Sequence, residues 1–323
     1  MIVTTNISSR KTIIRMIAGL ACVSVVCAGA AMLYAQSQPS HLHLSSANLD
    51  ALDRKLTALL VNADKTKAVN EPLSTNFAAL GLNGTALLFH RDAASEIEVH
   101  ENLSDFAVVR AGSGSLISGG KLENGKVTAP GEIRGQGRMQ GGTTTKLAVG
   151  DLIYVPAHLP HQFVPDPGTY LSVMVFKPVA PQPQDQPAEI VFWSAAKMAA
   201  LDKELAAKAN ASQVADSTLV SGDARLGRRA GLVHRAGPGA EIHQNAGEMM
   251  LVRNGSGTIT VGGKLTDGKP GDAGELRGTS VEGGSQITFA QGDVLYLPAN
   301  VAHRLVPDPG KPFSIIGFKF PPK

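Results

Sequence analysis

Glu98-Val-His100-Glu-Asn-Leu-Ser-Asp105 is followed further along the chain by Gly150-Asp-Leu-Ile-Tyr-Val-Pro156 and His161. The same text returns as Glu241-Ile-His243-Gln-Asn-Ala-Gly-Glu248, then Gly292-Asp-Val-Leu-Tyr-Leu-Pro298 and His303. Each copy holds two carboxylates and two imidazoles in one order. Residues two apart on a strand project from one face, so Glu98 points with His100 and Glu241 with His243. A short turn then brings Asp105 or Glu248 back opposite the histidine, while His161 or His303 arrives from a distant strand. Imidazole nitrogen with carboxylate oxygen suits a divalent transition metal: Mn, Fe, Ni or Zn. Two quartets predict up to two ions per chain.

The repetition extends well beyond the quartets. Ala51-Leu-Asp-Arg-Lys-Leu56 is echoed by Ala200-Leu-Asp-Lys-Glu-Leu205, Gly131-Glu-Ile-Arg-Gly135 by Gly274-Glu-Leu-Arg-Gly278, and Val164-Pro-Asp-Pro-Gly168 by Val306-Pro-Asp-Pro-Gly310. The period is too long for a solenoid and marks a tandem duplication of one unit. With 35 glycines and 19 prolines in 323 residues, the chain reads as short strands joined by tight turns. A helix over about 49–61, capped by Ser46 or Asn48, shows leucines 49, 52, 56, 59 and 60 on one face, with Asp53, Arg54 and Lys55 outward. A second helix runs from the cap Ser194 to about Lys208, with Trp193 stapling it.

On these residues the sequence resembles the cupin superfamily, specifically its two-barrel members, the bicupins. Gly239, His243, Glu248 and Gly255 fall in the slots of the first cupin motif. Gly150, Pro156 and His161, and again Gly292, Pro298 and His303, meet the second. The resemblance implies an all-β chain of two tandem jelly-roll barrels, each preceded by a short α-helix, with a metal in each barrel mouth. Three departures stand out. Glu98 and Glu241 replace the first histidine of the motif, Asp105 replaces its glutamate, and His158 and Asn300 stand where the second motif has glycine. Germins and oxalate decarboxylases, which the chain distantly resembles, use three histidines and one glutamate. Two carboxylates bring a divalent site close to neutral, which disfavours dianions such as oxalate. Without the leading glutamates, His100, Asp105 and His161 would form a two-histidine, one-carboxylate triad suited to iron and oxygen. The second site, with Glu248 and Gly239, is nearer the family pattern.

The domain plan is a leader (1–37), a first unit (38–177, barrel about 83–177), a proline-rich linker (178–190) and a second unit (191–323, barrel about 226–320). In the leader, Arg10, Lys11 and Arg15 precede an apolar run ending at Leu33 and small residues after it, the pattern of a secretory signal peptide; an uncleaved anchor is the other reading. Export to the periplasm or outside is the expectation. Both cysteines, Cys22 and Cys27, lie in this leader, so the rest of the chain has no thiol chemistry. The formal charge of +3 equals the leader's three basic residues, and a neutral remainder argues against nucleic acid or an anionic membrane as partner. The tail through Ser46, with His41 and His43, reads as solvated.

His90 and His234 precede the motif strands and are candidates to line the pocket or orient a ligand; the alternative is a barrel histidine bonded to backbone. Arg134 and Arg277 could meet an acidic substrate or form a loop-pinning ion pair with Glu132 or Glu275. The functional expectation is a metal-dependent enzyme of oxygenase, lyase or isomerase type on a small polar molecule. The alternatives are a non-catalytic module that binds a small molecule or carbohydrate, and a structural role. The sequence leaves substrate and oligomeric state open.

Overall fold

The computed structural model describes residues 40–61, 68–135 and 139–322. The leader at 1–37 lies outside them, and no helix among the described residues is long and apolar enough to cross a membrane. Each half is a jelly roll of two facing six-stranded antiparallel sheets. In the first, the strand order is Val191–Trp193, Leu152–Val155, Asp105–Gly112, Leu171–Pro178, Gly84–Arg91, Val69–Pro72. The facing sheet runs Lys126–Ala129, Glu132–Gly135, Ile97–His100, His161–Pro165, Gly114–Ser118, Thr143–Leu147. The second half repeats this order strand for strand, with Leu42–Leu44 at the edge where the first has Val191–Trp193.

Those two edge strands are exchanged. Leu42–Leu44 precedes the first barrel in sequence yet pairs with Val294–Leu297 of the second; Val191–Trp193 precedes the second yet pairs with Leu152–Val155 of the first. Helices α1 (Ser46–Leu60) and α2 (Ala195–Lys208) follow these strands. Asp293, buried in the second barrel, accepts from the Ser46 backbone N–H at 2.7 Å, and Asp151, buried in the first, accepts from Ala195 N–H at 2.7 Å. A carboxylate at a helix start satisfies an otherwise unpaired N–H and meets the positive end of the dipole. The aspartates of the two Gly-Asp steps are thus helix caps. The preceding glycines sit at φ +89°, and a Cβ on Gly292 would come 3.0 Å from Ser46 Cβ.

The tail is therefore not solvated: His43 Nε2 meets Asp293 Oδ2 at 2.8 Å. Ser45, one residue earlier than expected, caps α1, with Asn48 completing a capping box. Leu49, Leu56 and Leu60 are buried as the periodicity requires, whereas Leu59 is 48% exposed. Trp193 belongs to the exchanged strand and donates from Nε1 to Leu219 O. The proline-rich stretch contains a 3-10 turn, Pro183–Asp185, and Gln186 Oε1 accepts from Ala157 N–H at 2.8 Å, which ties it to the first barrel.

Asp53 turns inward rather than outward. It sits one turn from Leu49 and Leu56, on the same helical face. It meets His90 Nε2 at 2.8 Å, and accepts from Ser172 Oγ at 2.7 Å and from Arg110 Nε at 2.8 Å. Partial burial works to raise its pKa, but His90, Ser172 and Arg110 outweigh it and lower the value. A carboxyl with a depressed folded pKa stabilises above its ordinary value, and that contribution is lost as pH falls through the folded value. Asp53→Asn should cost about 2 kcal/mol at neutral pH, the scale of hydrogen bonds to a charged group. The loss should shrink under acid. Urea titrations across pH 2–7 check both; an equal loss at every pH would refute the charge argument.

Residues 40–323 cluster as one compact unit. Its largest apolar cluster runs between the barrels and joins Phe106, Tyr154 and Phe176 of the first to Tyr296, Phe318 and Phe320 of the second. Separate clusters fill the two barrel interiors.

Candidate metal centre

In the first barrel, Ile97–His100 lies between two partners. Glu98 faces His161 on one side, and on the other Glu98 pairs with Arg134 and His100 with Glu132. This register explains the repeated Glu-x-Arg: read antiparallel against Glu-x-His, it sets each charge beside its opposite. Arg134 Nη1 donates to Glu98 Oε1 at 2.8 Å and His100 Nδ1 meets Glu132 Oε2 at 2.8 Å. The second barrel repeats the register, with Glu241 opposite His303 and Arg277, and His243 opposite Glu275.

One donor atom each from Glu98, His100 and His161 lies within 4.8 Å of the others, and the same holds for Glu241, His243 and His303. The acids from the facing sheet stand beside these groups. Asp105 Oδ2 is 3.4 Å from His100 Nε2 and 3.7 Å from His161 Nε2. Glu248 Oε2 is 3.0 Å from His243 Nε2. Six of the eight expected ligands thus form two groups, and Asp105 and Glu248 stand beside their histidines. His161 Nδ1 bonds Leu159 O at 3.1 Å and His303 Nδ1 bonds Val301 O at 3.2 Å, so each Nε2 carries the lone pair. Both Nε2 atoms are buried without a hydrogen-bond partner. Ring orientation fixed through the remote nitrogen is what a metal ligand requires.

His158 and Asn300, in the glycine slots, adopt φ +66° and +64°. Their N–H groups donate to the backbone oxygens of His100 and His243 at 2.7 and 2.9 Å. The left-handed turn is kept without glycine, at a cost of about 1 kcal/mol.

Sequence reasoning missed two lysines. Lys177 Nζ lies 2.8 Å from His100 Nε2 and 3.2 Å from Asp105 Oδ1; Lys319 Nζ lies 3.3 Å from Glu248 Oε1. Both follow a phenylalanine near the end of the last strand, and alternation from Val175 or Gly317 turns them inward, a duplicated signal visible in the sequence. Burial works against protonation of His100, but Asp105 and Glu132 outweigh it and raise its pKa to about 9. Lys177, 2.8 Å from Nε2, works in the opposite direction without reversing the shift. Burial also opposes ionisation of Asp105, yet Lys177 and His100 keep its pKa far below the carboxylate range. Burial lowers the pKa of His161 and keeps it neutral. Lys177 also restores positive charge to a site expected to be near neutral, which removes the objection to anionic ligands.

The acids differ in length for a structural reason. A Cβ on Gly317 would collide with Glu248 Oε1. The first barrel has Val175 at that place in the strand, and its acid is the shorter Asp105.

The two sites differ most in space. A cavity of about 400 Å³ opens over Glu98, Asp105 and Lys177 in the first barrel; the second holds about 20 Å³. Arg235 closes the second, donating from Nη2 to Glu241 Oε1 at 2.9 Å. Arg277 Nη1 approaches Glu241 Oε2 at 3.4 Å. A Cβ on Gly239 would collide with Arg235 Nη1. The glycine that brought the second site nearer the family motif is the one that admits the arginine. The donor set therefore fits an ion in the first barrel once Lys177 yields His100. In both barrels an arginine and a lysine already pair with the two acids, so open space, not pairing, sets the first barrel apart.

Arg134 lines the first cavity and Arg277 the second, both ion-paired to the motif glutamate. His90 and His234 do not line the cavities. In Gly84–Arg91, Leu87, Phe89 and Arg91 face the cavity while His90 alternates outward to Asp53. The corresponding second-barrel cluster brings Ser314 and Arg253 to Asp202 of α2, leaving His234 Nδ1 without a hydrogen bond.

No known family model matches the sequence, and no curated protein aligns with it significantly. Solved structures do match. Salicylate 1,2-dioxygenase from Pseudaminobacter salicylatoxidans superposes with a TM-score of 0.56 at 12% identity, covering 88% of this chain and 84% of that one. The same enzyme as its adducts with gentisate gives 0.54 at 13%, covering 88% and 81%. Protein YlbA from E. coli gives 0.48 at 15%, covering 88% and 91%. Identities this low speak for architecture alone. With two jelly rolls in tandem, two four-residue motif sets in register and a structural neighbour over most of both chains, this chain has the bicupin fold.

Proposed function

We propose that the protein is a metal-dependent enzyme acting on a small molecule in its first barrel, and that the second barrel is a structural copy. The observation that carries this reading is the convergence of Glu98, His100 and His161 beneath a cavity of about 400 Å³, with the His161 Nε2 lone pair buried and unpartnered. Those three residues would hold the ion, with Asp105 beside them. A divalent ion held there would supply Lewis acidity or a site for dioxygen, the chemistry of oxygenase, lyase or isomerase reactions. The protein's own groups do the rest. Glu132 orients His100, Arg134 holds Glu98, and Lys177 keeps a proton within reach of a substrate atom above Asp105. Phe89 and Phe163, edge to face at 5.3 Å, keep one wall apolar. The signal-peptide pattern of the leader supports a site of action outside the cytoplasm.

A specific observation favours the non-catalytic binding module instead: the Lys177 Nζ stands 2.8 Å from the His100 Nε2 that an ion needs. Metal analysis separates the two. Protein dialysed against Mn²⁺ or Fe²⁺ should retain about one equivalent, lost in His161→Ala, and Lys177→Met should tighten retention roughly tenfold or more by removing a competing cation. Should neither the native protein nor Lys177→Met retain metal, the enzyme reading falls.

A further inference from the structure

The two barrels carry matching arginines at the end of the strand that leads into the motif, Arg91 and Arg235, and they are used differently. Arg235 is taken by Glu241. Arg91 is not: Glu96 stands where the second barrel has Gly239, and the connection from Arg91 to Glu98 is one residue longer than that from Arg235 to Glu241. The side chain that fills the position of Gly239 denies Arg91 the path Arg235 follows. Glu98 is held instead by Arg134.

Arg91 is consequently an unusual group. It is 4% exposed, lines the cavity, and among the described residues its only hydrogen bond is from Nη1 to Ala93 O at 3.1 Å. No carboxylate of the described residues comes within ion-pair distance of it; Glu98, Glu96 and Asp92 attract it only from further away, whereas Arg134 is in contact with Glu98 and Lys177 with Asp105. A buried guanidinium with no carboxylate in contact is costly, and an anion entering the cavity would complete it. The walls beside it are Leu87, Phe89, Phe163 and Val175. A cation at one end of an apolar cavity calls for a ligand with a charged head and an apolar body.

We propose that the first-barrel cavity binds a small organic monocarboxylate, its carboxylate on Arg91 and its apolar part against Phe89 and Phe163, and that the second barrel binds none. This deepens the enzyme reading by naming a substrate class, but it uses no metal, so it can fail or succeed separately.

The test is calorimetric titration of chelator-treated protein with benzoate and with its uncharged counterpart benzamide. Benzoate should bind once per chain and about tenfold or more tighter than benzamide, the scale of one charge-assisted pair. Arg91→Met should abolish that preference while Arg91→Lys keeps part of it, with circular dichroism and melting confirming that each variant is folded. Should Arg91→Met fail to fold, the benzoate–benzamide comparison and Arg91→Lys still decide. Equal affinity for the two probes, unchanged benzoate binding in Arg91→Met, binding twice per chain, or no binding at millimolar benzoate would each overturn the assignment. A protein that holds metal but ignores benzoate leaves the enzyme reading standing without this substrate class; one that binds benzoate but never metal leaves the reverse.

Discussion

Phe318→Ala should destabilise the protein by about 3–5 kcal/mol, the range for emptying a fully buried aromatic site. It should do so to both barrels at once. Phe318 is wholly buried on the last strand of the second barrel, yet its nearest aromatic neighbours belong to the first: Phe176 at 4.9 Å and Phe106 at 5.1 Å between ring centroids. Its strand, Phe313–Phe320, is buried along its whole length. Phe313 and Ile315 face the interior of their own barrel, while Ile316, Phe318 and Phe320 face the core between the barrels. Removing the ring leaves a void lined from both halves, and the exchanged strands and helix caps prevent one half from relaxing independently. Calorimetry should show a single transition, lowered in temperature, with Trp193 fluorescence changing at the same midpoint. Two separated transitions, with only the second barrel's shifted, would show that the halves are independent domains.

The same geometry marks what the sequence could and could not say. The eight candidate ligands are readable because duplication shows each position twice, and a period of two fixes which residues share a face. Val173–Phe176 and Leu152–Val155 are unbroken apolar runs rather than alternating ones, which is the mark of strands covered on both sides. The core between the barrels was thus present in the text. The exchange of edge strands was not, because a helix written just before a barrel gives no sign that its start is capped by the other one. Asp53 and Asp202 were hidden for a related reason: a charged residue on a helix reads as solvated unless its buried partner, here His90 or Ser314, is known. Gly239 misled through its motif, since here it makes room for the guanidinium of Arg235. Lys177 and Lys319 do carry a signal, because Phe-Lys closes the last strand of each barrel in one register, but neither lies in a ligand motif.

The pairing of acid length with the residue facing it yields the other large effect. Gly317→Val should cost about 3 kcal/mol or more, because overpacking alone costs about 1–3 kcal/mol and a displaced buried carboxylate adds to it. Valine suits a strand, so the penalty does not come from the backbone. It comes from Glu248, whose Oε1 occupies the space a Cβ would take. That carboxylate meets His243 at 3.0 Å and Lys319 at 3.3 Å, so it has no cheap retreat. Burial would raise its pKa, but Lys319 and His243 outweigh burial and keep it ionised far below the carboxylate range. Shortening the acid by one methylene matches the first barrel, where Val175 holds the strand position of Gly317 and the acid is Asp105. Gly317→Val with Glu248→Asp should therefore recover most of the loss, while Glu248→Asp alone should cost about 1 kcal/mol for the methylene-sized void it leaves. A double-mutant cycle in urea should give a coupling of about 2 kcal/mol or more in favour of the pair. Additive losses would mean that the barrels set their acid lengths independently of the facing strand, and the correspondence between Asp105–Val175 and Glu248–Gly317 would be coincidence.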